Sequence, residues 1–136
     1  MKTSYYWKLE NGMQAQGKYF VSISIGCPKE SLERMDERPD AYGDNLCPDG
    51  DMLRRYKELG GNKQAEAEYT AKYLKKLDRL YDKGWLENYV KRLLAVEKER
   101  MVEVVFMCYE GKNKFCHRHI LAEYLKEKFG LEVTEL

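Results

Sequence analysis

The chain is 136 residues long, the size of one domain with a core of its own. Hydrophobic residues make up 43% and charged residues 35%, and 24 Lys+Arg against 23 Asp+Glu leave a formal net charge of +1. This balance excludes a disordered chain and a globally basic nucleic-acid binder, and the longest apolar run, 104–109, falls far short of the roughly 20 residues a bilayer crossing needs.

Residues 3–9 hold Tyr5, Tyr6 and Trp7, which favour a strand. Asn11-Gly12 marks a turn, and 18–25 (KYFVSISI) reads as a better strand with Tyr19, Val21, Ile23 and Ile25 on one face. Residues 26–50 contain all three prolines (Pro28, Pro39, Pro48) together with Gly26, Gly43 and Gly50. That punctuation leaves room for only a turn of helix near 31–35. A loop of this length in a small domain is expected to be an ordered lid or site wall, with Leu32, Met35, Tyr42 and Leu46 as anchors.

Three helices follow. Asp49 or Asp51 caps the first, which runs through Leu53, Tyr56 and Leu59 to Gly60-Gly61. The second spans about 63–82, with Tyr69, Tyr73, Leu77, Leu80 and Tyr81 as its stripe. In the third, Trp85-Leu86, Tyr89-Val90 and Leu93-Leu94 recur every four residues. The nearly continuous apolar run in 101–108 predicts a strand buried on both faces. A polar loop (109–115), a helix over 116–129 stopped by Gly130, and a short strand at 131–134 complete the chain. Strands separated by helices imply crossovers, so the expected fold is a single α/β domain of three layers with a small, mostly parallel sheet.

The four cysteines (27, 47, 108, 116) form no CxxC pair and no regular framework. In a chain rich in Lys and Glu this is the pattern of reduced thiols, and with polar residues where a signal peptide needs apolar ones it points to the cytoplasm.

The chemistry concentrates around Cys116. On a helical wheel His117 projects from the apolar side, flanked by Cys116 and Arg118 at its edges. The first turn therefore aims an imidazole at the carboxyl end of the strand that stops at Cys108. Cys116 falls beside unpaired backbone N–H groups, where the helix dipole favours a thiolate, and the neighbouring Arg118 and His117 act in the same sense. In an open parallel sheet ligands bind beyond the carboxyl ends of the strands. The loop that begins at Gly26-Cys27 is then expected to face Cys108, Tyr109, Glu110 and the Cys116-His117-Arg118 tripeptide.

The stretch 104–125 (VVFMCYEGKNKFCHRHILAEYL) closely resembles the signature of domain-of-unknown-function family 488, in which a buried strand ends in Cys and a Glu and a helix opens with Cys-His-Arg. VSISIGCP at 21–28, the Leu46-x-Pro48 step and Glu135-Leu136 look like further features of that family. Ile25 stands where its members often carry a basic residue. The resemblance implies an α/β fold, an intracellular protein and Cys108, Glu110, Cys116, His117 and Arg118 as marked positions; it supplies no reaction.

Several readings stand side by side. Cys116 is a nucleophile with His117 as its base and Glu110 as an acid/base, or the helix start binds a small anion, phosphorylated or nucleotide-like, without covalent chemistry. In either case Arg118 holds the anion, and Cys108, Cys27 and Tyr109 line the ligand. Cys108, Cys116 and His117 with Cys27 or Cys47 form a tetrahedral set on paper, but their separations match no standard zinc motif, and no metal or cofactor is assigned. Cys108 and Cys116 also suit a redox pair. A tyrosine-phosphatase loop needs Arg six residues after its Cys, and that position is Ala122; P-loop, dinucleotide and zincin motifs do not occur. The bland alternatives are a Cys-His-Arg set that is purely structural, a Glu110 that merely closes a loop by an ion pair, and a module that binds nucleic acid or protein. For nucleic acid the footing is the basic run Lys72, Lys75, Lys76, Arg79 with Lys91 and Arg92, which reads first as a solvated helix face, and the eleven tyrosines, which read as core before they read as a base-stacking platform.

Overall fold

Alternation along two strands builds the molecule. In a computed structural model, which describes residues 1–39, 43–111 and 113–136, β2 (Lys18–Ser22) and β3 (Glu103–Cys108) run parallel, Tyr19 opposite Val104 and Ser22 opposite Met107. β3 also pairs in parallel with β1 (Lys2–Tyr5), which pairs with the short β4 (Thr134–Glu135), giving the order β2-β3-β1-β4. Val104, Phe106 and Cys108 join the larger core with Tyr19, Val21 and Ile23. Val105 and Met107 face the opposite way, onto Phe20, Tyr6 and Leu9. Period-two alternation across a sheet covered on both sides explains why the whole run is apolar.

The larger core is closed by α3 (Gly50–Glu58), α4 (Lys63–Asp82), α5 (Trp85–Arg100) and α6 (His117–Phe129). The smaller is closed by α1 (Tyr6–Glu10) and the segment after α2 (Lys29–Leu32), through Met35. The architecture is a small three-layer α/β fold, as the order of elements implies. Among the described residues no helix is long and apolar enough to cross a membrane.

Several boundaries differ from the sequence reading. Residues 3–9 are not one strand: β1 stops at Tyr5 and α1 begins, because Tyr6 and Leu9, three apart, are both 1% exposed on one helical face. The Tyr6 hydroxyl is fixed by Ser22 Oγ and Ser24 Oγ, each at 2.7 Å. β2 ends at Ser22, so Ile25 is exposed instead of continuing the apolar face. β3 begins at Glu103 because α5 extends to Arg100 and is closed by Met101, whose φ of 54° is left-handed. The last strand is Thr134–Glu135, not 131–134.

The proline-containing connection is ordered where it is described. Ser22 N–H donates to the Glu37 carbonyl, and Met35, Leu46 and Cys47 are buried. Leu32, expected as an anchor, is exposed instead, and Tyr42 lies outside the described residues. Much of the basic run is committed within the fold: buried Lys76 donates to Asn45 and Cys47 and pairs with Asp49, Lys72 pairs with Glu68, and Arg92 with Glu37.

Candidate functional site

β3 delivers Cys108 on the α6 side of the sheet, and Cys116, in extended conformation (φ −154°, ψ 143°), is the residue that caps α6. The two sulfurs lie 3.0 Å apart. His117, the first residue of α6, points back under the sheet edge. Its Nε2–H donates to the Ile23 carbonyl at 2.5 Å, and Nδ1 lies 3.6 Å from Cys108 Sγ and 3.9 Å from Cys116 Sγ. The Tyr73 ring packs edge-on against the imidazole at 5.3 Å, and its hydroxyl donates to the Leu46 carbonyl. An inward-facing imidazole is what the helical wheel predicts; the partner of its Nε2–H is a carbonyl just beyond the end of β2.

All three groups are only 4% exposed, yet they form the floor of a cavity of about 660 Å³. Its walls come from the places where β2 and β3 end. Ser24, Ile25 and Gly26 bring in the start of the long connection and Pro48 its other end, while Tyr109 and Glu110 continue from β3. Opposite in sequence but joined here, Tyr56 of α3, Tyr69 of α4 and Phe115 make an aromatic wall, Tyr56 stacked on Phe115 at 5.4 Å and Tyr69 edge-on to it at 5.4 Å. Lys57 and Lys114 supply positive charge and Glu66 and Glu110 negative charge to the same lining.

Electrostatics divide the thiol pair. A hydrogen bond from Cys108 holds the Cys116 thiol well below the usual range against the cost of its burial, with His117 and the Arg118 backbone N–H adding to the effect. The same bond, together with burial, pushes Cys108 far up. The pair loses its first proton readily and keeps its second. Cys47, whose thiol donates to the Ser24 carbonyl, is pushed up to about 12 by burial and is inert by comparison.

Of the residues singled out in the sequence, Cys108, Tyr109, Glu110, Cys116 and His117 meet at the cavity, and two do not. Arg118 is fully buried and turned away. Its Nε donates to the Glu135 carboxylate at 3.1 Å, Nη1 and Nη2 donate to the Glu110 and Gly111 carbonyls, and its guanidinium lies over the Tyr5 ring. The expectation that it holds an anion in the crevice therefore gives way to an internal clamp, because the next step round the helix from His117 faces β1 and β4. Glu110 receives Arg118 through its backbone, while the carboxylate in that ion pair belongs to Glu135. Cys27 is also outside the cavity; its thiol donates to the Pro28 carbonyl and is raised by burial. The residues missed were Glu135, known only as part of a family-like ending, and the Tyr56–Tyr69–Phe115 wall, whose two tyrosines read singly as helix positions and whose Phe115 fell within the loop 109–115.

A family model described as the Active DUF488-N3 subclade matches residues 17–129. The chain belongs to the DUF488 family. The matched span includes β2, β3, α6 and every residue of the Cys108–Cys116–His117 cluster, whereas β1, β4 and Glu135 lie outside it. Searches among curated proteins and solved structures give no match.

Proposed function

We propose that this DUF488 chain is a thiol enzyme in which Cys116 is the nucleophile and the cavity takes an anionic, nucleotide-like ligand. The observation that carries the reading is the thiol pair itself: Cys116 Sγ lies at a cavity floor, 3.0 Å from a second thiol and 3.9 Å from the His117 Nδ1 atom. His117 Nδ1 takes the Cys116 proton, and the Cys108 S–H bond stabilises the thiolate that remains. The sulfur then bonds to an electrophilic atom of the ligand as that atom's bond to its leaving group breaks. The leaving group departs with the electron pair and receives the proton held by His117. The rings of Tyr56, Tyr69 and Phe115 suit a flat base, and Lys57 and Lys114 supply positive charge for a phosphate.

Iodoacetamide alkylation followed against pH, on protein kept in a chelator, tests the reading. Cys116 is expected to titrate well below the free-thiol value of about 8.5. Alkylation of Cys116 only after denaturation overturns it and supports the second reading, a non-enzymatic module with a structural Cys-His-Arg set. The internal clamp made by Arg118 is what favours that second reading.

A further inference from the structure

We infer that Cys108, Cys116 and His117 form a binding site for one thiophilic metal ion, Zn²⁺ by preference, with its remaining coordination position open to the cavity. The three ligand atoms lie within 4.8 Å of one another, and all three residues are buried. Zn–S bonds of about 2.3 Å and Zn–N bonds of about 2.0–2.1 Å at tetrahedral angles demand S···N separations of about 3.6 Å and an S···S separation of about 3.8 Å. The sulfur-to-Nδ1 distances are already 3.6 and 3.9 Å. Only the sulfurs, at 3.0 Å, need to move apart, by about 0.8 Å, which small rotations about the two Cα–Cβ bonds supply.

The imidazole is oriented for the purpose. A metal-bound histidine characteristically donates its other ring N–H to a carbonyl or carboxylate, which fixes the tautomer and the ring plane. His117 does this through Nε2–H to the Ile23 carbonyl, while Tyr73 packs against the ring edge. Two thiols and an imidazole with no carboxylate select a soft or borderline ion over Mg²⁺ or Ca²⁺. Three protein ligands beside a 660 Å³ cavity leave a fourth position for water or a ligand atom, the arrangement of an open site and not of a closed structural one. Binding releases to solvent the proton that the thiol pair still holds on Cys108. The ion would also occupy the Cys116 lone pair and silence it toward electrophiles; that consequence, unlike the binding, rests on the nucleophile reading.

The test uses the full chain, reduced with a phosphine and stripped with a chelator, then titrated with Zn²⁺ against a chromophoric chelator and in parallel with Co²⁺. The expected result is one ion per chain with thiolate-to-cobalt charge-transfer absorption. C108S, C116S and H117A should each weaken binding by more than the roughly 10–100-fold that loss of an outer-shell group costs. Near-UV circular dichroism checks that each variant folds, and the wild-type Co²⁺ spectrum reports thiolate ligation whatever the variants do. Absent charge transfer, stoichiometric binding that survives all three substitutions, or binding that follows Cys27 instead would overturn the site. Alkylation in chelator separates the two proposals. An ordinary titration of metal-free Cys116 removes the nucleophile and leaves the ion site, whereas a reactive Cys116 with no Zn²⁺ binding does the reverse.

Discussion

Cys108 closes β3 and Cys116 caps α6, and the turn between them returns the chain so that the two sulfurs lie 3.0 Å apart. Once Cys116 ionises, Cys108 is its S–H donor, and this bond is the largest influence holding the Cys116 thiol down. Cys108→Ala removes the donor. The midpoint of Cys116 alkylation should then rise by at least one pH unit, about 1.4 kcal/mol of lost thiolate stabilisation. Cys108→Ser, which retains an O–H donor, should recover part of that shift. A midpoint indifferent to both substitutions would show that the two sulfurs are not coupled.

Arg118 and Glu135 join the loop after β3 to the strand at the sheet's far edge. The guanidinium is sealed from solvent, and among the described residues Glu135 supplies the one carboxylate paired with it. Glu135→Ala strands that charge in the interior. The cost should be about 2–3 kcal/mol in urea unfolding, below the roughly 3–5 of a fully enclosed pair because the Glu135 side chain retains 21% exposure. Loss of less than about 0.5 kcal/mol, the scale of a surface pair, would count against the clamp.

Legibility followed the range of the interactions involved. The ends of α4 were readable because the signals are local: Asn62 accepts from the Ala65 N–H at one end, and Gly84 stands in a left-handed conformation just beyond the other. β3 was readable because a strand covered on both faces has no polar positions to confuse it. The His117 direction followed from a single helical turn. α1 was not readable, because Tyr6 and Trp7 have strand propensity and the Tyr6 hydroxyl is held by two distant serines, Ser22 at the end of β2 and Ser24 just beyond it. The two edges of the α6 stripe look alike in sequence. Only the strand order, with β1 and β4 on one side, decides that Arg118 faces a carboxylate and Cys116 faces a cavity. The aromatic wall comes from α3, α4 and the loop before α6, whose juxtaposition no local pattern announces.

Glu37 gives a pH-dependent prediction at the opposite edge. Burial alone would raise its carboxyl, but hydrogen bonds from Arg92, Tyr19 and Tyr89 outweigh that cost and hold it below the usual range. A carboxyl lowered in the folded state contributes stability that is present above its unfolded value and is lost as pH falls through the folded one. Glu37→Gln should therefore cost about 1–2 kcal/mol at neutral pH, the half-exposed Arg92 limiting the sum. The difference from wild type should shrink below about pH 4, where the wild-type carboxyl is itself taking up a proton. Thermal unfolding of both proteins across the acid range measures it, and a penalty that stays constant with pH would assign the effect to packing instead.

Tyr73 permits the support of His117 to be separated from the stability of the fold. The side chain is fully buried, its hydroxyl donates to the Leu46 carbonyl at 2.7 Å, and its ring meets the His117 imidazole edge-on. Tyr73→Phe deletes the hydroxyl and keeps the ring. It should cost about 1–2 kcal/mol, since a buried carbonyl loses its donor, while the pH profile of Cys116 alkylation stays in place. Tyr73→Leu deletes the ring as well, leaving the imidazole free to rotate off the line between the Ile23 carbonyl and the two sulfurs. Its stability loss should be larger, and the alkylation rate at neutral pH should fall because Nδ1 no longer dwells beside the thiols. If Phe and Leu changed the profile equally, the hydroxyl and not the ring would be the group that orients His117.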